Sequence, residues 1–86
     1  MFKEKKFIGK YRKKLGDEWN KTIDTYPVSQ LKIKEWFKEL SLQQRMWIEG
    51  QSDWEILQDT ENCFEACKSK NNYWDSYIRI EWKQVD

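Results

Sequence analysis

Cys63 and Cys67 stand four residues apart in a chain with no histidine and no other cysteine. Paired thiols could ligate a metal or form a redox couple. A tetrahedral zinc site takes four ligands, and these two do not complete one by themselves. On a helix they would share a face one turn apart, where a disulfide has poor geometry. Free cysteine packs as a small hydrophobe, so two buried or half-buried thiols beside Phe64 are expected. The missing histidine also removes the commonest general base and metal ligand. No phosphate-cradling glycine loop and no nucleophile elbow occurs. Fifteen acids in 86 residues supply carboxylate pairs by chance, and nothing marks two of them as a catalytic dyad. These residues predict a protein that is not an enzyme, holds no cofactor or metal, and acts by binding.

Two charged stretches could do the binding. From Met46 to Cys67 there is no lysine or arginine, but six acids: Glu49, Asp53, Glu55, Asp59, Glu61 and Glu65. Fourteen aromatic residues, six of them tryptophan, meet only five Leu, seven Ile, two Val and two Met. Tryptophan is seldom wholly enclosed, and it anchors many interfaces. Trp19 and Trp47, with Glu49, Asp53, Glu55, Asp59 and Glu61, therefore form the leading candidate surface. Its expected partner is a protein with a basic surface, such as a nucleic-acid enzyme. Small, aromatic-rich, motif-free chains of this kind suit inhibitors encoded by phages or mobile elements. The alternative is the N-terminal arm, residues 1–15, with seven basic residues against one acid. There Lys5, Lys6, Lys10, Arg12, Lys13 and Lys14 would grip phosphates while Tyr11 stacks on a base. Residues 1–43 carry a charge of +5 and residues 44–86 a charge of −4. That asymmetry suggests a third, weaker mode, head-to-tail association of copies.

The elements that must position these groups are read from periodicity and caps. Ser29 precedes a helical stripe of Ile33, Trp36, Phe37 and Leu40. Ser41 with Gln44, and Ser52 with Glu55, have capping-box spacing. Three helices result: about 30–40, 42–49 stopping at Gly50, and 53–69. The arm has two readings. Ile8, Tyr11, Leu15, Trp19, Ile23 and Tyr26 make a helical stripe, but Gly16-Asp17 suits a two-residue hairpin turn. The tail is also double. Ile78, Ile80 and Trp82 alternate with Tyr77, Arg79, Glu81 and Lys83 as in a strand, while Trp74, Tyr77, Ile78 and Trp82 share a helical face. β-branched residues are few.

The favoured architecture is thus mostly α, one small domain of four to five short helices. It comprises the basic arm 1–15, a helical body 29–70 and an aromatic tail 73–86. The alternative is α+β, with strands in 7–26 and 76–83 packed on three helices. A chain of 86 residues buries roughly 60–65% of its unfolded surface. No apolar run approaches the roughly 20 residues needed to span a membrane. The first residues lack the apolar segment of a signal peptide, so a cytoplasmic setting is expected.

Overall fold

The computed structural model describes residues 5–16, 18–70 and 73–85, with side chains outside 18–20, 69–70 and 73–75. In chain order the elements are β1 (Lys6–Leu15), β2 (Glu18–Asp24), α1 (Gln30–Glu49), β3 (Trp54–Asp59), β4 (Cys63–Lys70) and β5 (Tyr73–Val85). All strands join one antiparallel sheet, ordered β2-β1-β5-β4-β3. α1 packs on one face of it, over β1 and β5. The bundle of four to five helices expected from the sequence does not form. Strands do occupy 7–26 and 76–83, but the three helices they were to pack on are one helix and two further strands.

The N-terminal hairpin turns where glycine permits it. Leu15 pairs with Glu18, and Gly16 has φ 75°, in the left-handed region that tight hairpins require. Along β1, Phe7, Gly9 and Tyr11 are buried. β1 then pairs with β5 from Lys6 opposite Val85 to Leu15 opposite Ser76. This ladder places Ile78 and Ile80, both 0% exposed, beneath the helix. The helical stripe read along 8–26 loses because a lone helix there could not bury Phe7 and Tyr11 together with Ile80.

α1 runs through the boundary expected at Ser41. Ser29 does cap it, its hydroxyl accepting from the Lys32 backbone N–H at 3.4 Å. Ser41 is buried in mid-helix and donates to the Lys38 carbonyl at 3.2 Å. A serine satisfied inside its own helix has no need to start a new one. One continuous face then carries Ile33, Phe37 and Ile48 to the sheet. The helix ends at Gly50 as expected. No helix among the described residues is long and apolar enough to cross a membrane.

The largest correction concerns 53–69. Its capping-box spacing at Ser52 and Glu55 is real, but the segment forms β3 and β4. As a helix it would stack Glu55 on Asp59 and Glu61 on Glu65, each a like-charge pair worth a few tenths of a kcal/mol. As a hairpin it alternates. Phe64 and Ala66, both 0% exposed, face the helix side, and Cys63, Glu65 and Cys67 face the other. The turn is closed by Thr60, whose N–H donates to the Cys63 carbonyl at 2.9 Å and whose hydroxyl accepts from the Cys63 N–H at 3.1 Å. Pairing with β5 overrides the local helical signal, as is common for strands.

The core joins Phe7, Tyr11, Phe64, Ala66, Ile78, Ile80 and Trp82 of the sheet to Ile33, Phe37 and Ile48 of α1. Trp82 meets Phe7 edge-on at 5.6 Å and donates its indole N–H to the Glu61 carbonyl at 2.9 Å. Trp36, Trp47 and Trp54 pack around this core, partly buried.

Candidate nucleic-acid interface

Strand alternation sorts the basic arm into two sets. Tyr11 is in the core, 3% exposed. Lys13 faces the helix, its ammonium 3.9 Å from the Trp47 ring and 3.0 Å from the Gln44 side-chain oxygen. Burial, with Lys21 nearby, lowers its pKa. Lys10, Arg12 and Lys14 must therefore point to the opposite face, spaced about 6.5–7 Å along the strand. α1 packs on the other face; on this one Lys10, Arg12 and Lys14 are part-exposed, while Cys63, Glu65 and Cys67 of β4 are buried. Across the ladder, Arg12 lies opposite Arg79, Lys14 opposite Tyr77, and Lys83 opposite Ile8. From Ile8 to Lys14 and from Tyr77 to Lys83, the two central strands thus present five cations and one carboxylate, Glu81. Arg12 is held by Asp24 at 2.8 Å, and Arg79 by Glu81 at 2.9 Å. Lys10 lies directly opposite Glu81 on β5 and Asp24 on β2, and among the described residues no salt bridge forms to Lys10, Lys14 or Lys83.

Next to this lane sits a built polar cluster. Glu65 is 8% exposed, an expensive place for a carboxylate unless it is partnered. Tyr77 donates its hydroxyl to Glu65, and Arg79 reaches the same oxygen at 3.3 Å. Burial and the bond to Glu65 push the Tyr77 pKa from 10 up to about 12. Because that value lies above the unfolded one, the stabilisation is complete below pH 10 and is lost as pH rises towards 12. Wild-type stability is therefore expected to fall over this interval in pH-jump urea titrations. Tyr77→Phe should flatten the fall, while costing about 1 kcal/mol at neutral pH through the lost hydrogen bond. An equally steep fall in the variant would assign the loss to other groups.

The two cysteines flank Glu65 on the same face and are buried. Burial raises the pKa of both thiols. Four residue steps along the strand separate them by about 13 Å, beyond disulfide reach. Among the described residues no group of three potential metal ligands occurs.

The acidic and aromatic candidates do not assemble into one surface. Trp47 is partly buried, edge-on to Trp54 at 5.5 Å and capped by Lys13. Trp19 lies in β2 opposite Lys14, with its side chain outside those described. Glu49 ends α1, and Asp53 adopts φ 70° in the turn before β3. Glu55 is the second residue of β3, on the face away from the helix, opposite Cys67. Asp59, at the far end of β3, is gripped by both Arg45 nitrogens at 2.6 and 2.7 Å, which lowers its pKa. Glu61 lies in the β3–β4 turn. The acidic helix these residues were to share does not exist. Lys5 precedes β1, and Lys6 is its first residue; both are exposed.

The sequence reading missed Tyr77, Arg79 and Lys83 as site residues. Their signal was present, since they are the polar half of the tail alternation, but their proximity to the arm follows only from the β1–β5 ladder. No family model matches the chain, no curated protein matches it, and no solved structure matches its fold.

Proposed function

We propose that this chain is a small, non-enzymatic protein that binds single-stranded nucleic acid along the bare face of its sheet. The observation that carries this reading is the lane on β1 and β5. There Lys10, Arg12, Lys14, Arg79 and Lys83 oppose one carboxylate on the two central strands. Cations repeating along a strand suit a phosphate backbone laid along it. Tyr77 stands at the end of the lane with its hydroxyl anchored by Glu65, so its ring can serve as a stacking platform. A duplex fits less well. Reading one takes a helix or ribbon seated in a groove, and α1 lies on the opposite face with Glu35 and Glu39 interleaved among Lys32, Lys34 and Lys38.

The test is fluorescence anisotropy with labelled oligothymidine and with a duplex of equal length. The single strand should bind more tightly. Its affinity should fall with salt at a log–log slope of about −3, for four to five neutralised phosphates. Combining Lys10→Glu, Lys14→Glu and Lys83→Glu should weaken binding at least tenfold and reduce the slope by about 2. Unchanged binding by this variant would remove the lane from the account.

A further inference from the structure

A second surface, independent of the lane, lies at the sheet margin. Among the described residues β3 is the last strand on its side, paired only with β4. Its outer backbone N–H and C=O groups face solvent, where they can template another strand. Ile56 and Leu57 lie side by side at this margin, 44% and 39% exposed. Of the usual guards of an open edge, β3 lacks lysine and proline but carries Glu55 and Asp59. It does have a register shift between Ile56 and Gln58, which leaves Leu57 outside the ladder with β4. That bulge splits the ladder into Trp54–Ile56 and Gln58–Asp59 and leaves Leu57 free to touch an incoming side chain.

Charge selects the occupant. Asp53 and Glu55 bracket one end of the strand, and Glu61 follows the other. No lysine or arginine occurs from Met46 to Cys67. Within the described residues Asp59 is neutralised by Arg45, and Glu65, on β4, by Arg79. A second copy pairing β3 against β3 would bring these carboxylates together, and like charges facing across strands are destabilising. The opposite margin, β2, carries Lys21 and borders the cations of β1. We propose that β3 docks an extended, lysine- or arginine-rich segment of another protein, added as a short sixth strand beside Trp54–Ile56 with an apolar side chain set against Leu57.

The experiment uses the full chain, labelled with nitrogen-15, and two synthetic peptides of about eight residues that alternate Lys with Val or Glu with Val. The Lys–Val peptide should shift the amides of Trp54–Leu57 most and slow their hydrogen exchange. The Glu–Val peptide should do neither. Combining Glu55→Lys with Asp53→Asn, which keeps a residue suited to φ 70°, should weaken the Lys–Val peptide about tenfold or more without changing the urea midpoint. Equal binding of both peptides would overturn the proposal. So would shifts centred on β1 and β5, or sedimentation showing that the chain self-associates through β3. Oligothymidine binding should survive the Asp53/Glu55 variant, so the two surfaces fail or stand separately.

Discussion

Replacing Phe64 with alanine is expected to destabilise this fold by about 3–5 kcal/mol. Phe64 is fully enclosed and sits mid-sheet, opposite Ile80 on β5 and Asp59 on β3. The Arg45 guanidinium covers its ring at 5.1 Å while holding Asp59. Truncation removes aromatic surface from the core and leaves a cavity beneath an ion pair, whose backbone neighbours are fixed by two ladders. Urea unfolding should show a large drop in midpoint with little change in slope. Leu42→Ala, on the exposed side of α1, should stay within about 0.5 kcal/mol. A loss below about 1 kcal/mol for Phe64→Ala would mean that 63–70 is not packed as a central strand.

The second large effect comes from adding a single methyl group. A Cβ built on Gly9 would lie 2.2 Å from Cζ3 of Trp36, with two further ring atoms at 2.7 and 2.8 Å. The indole therefore rests directly on the β1 backbone. Here glycine is required for space, not for an unusual φ. Its amide also donates to the Thr25 hydroxyl at 2.8 Å, so the strand cannot retreat cheaply. Gly9→Ala should cost about 1–3 kcal/mol by overpacking. Trp36→Leu alone should also destabilise, but adding it to Gly9→Ala should recover part of the alanine penalty. A double-mutant cycle in urea measures this; the two costs simply adding would contradict the contact.

Local signals written in a few neighbouring residues were legible. Ser29 as a cap, Gly50 as a stop and Gly16 as a hairpin residue all act where the sequence places them. The alternation of the tail was legible too, as one of two readings. What could not be read was non-local. Residues 53–69 carry a helical cap and a passable helical stripe, and only the partners β3 and β5 reveal Phe64 and Ala66 as one face and Cys63, Glu65 and Cys67 as the other. The grouping of the candidate site residues was non-local for the same reason. Seen as a block, 5–14 is uniformly basic, whereas as a strand it sends Tyr11 and Lys13 under the helix and Lys10, Arg12 and Lys14 to the bare face. Arg79 and Lys83, some 70 residues along the chain, join them only through the β1–β5 pairing. The tryptophan excess by itself suggests exposed anchors. Among the described side chains, Trp36, Trp47, Trp54 and Trp82 cover the small core from several sides, each at least partly buried; those of Trp19 and Trp74 lie outside the described set.

The most direct measurement of the lane is a footprint. Amide shifts of the nitrogen-15-labelled chain are followed as oligothymidine is added at low salt. Contact along the bare face predicts the largest shifts at Lys10–Lys14 and Tyr77–Lys83, with the exposed side of α1 silent. Shifts centred on α1, or none at saturating oligonucleotide, would contradict it.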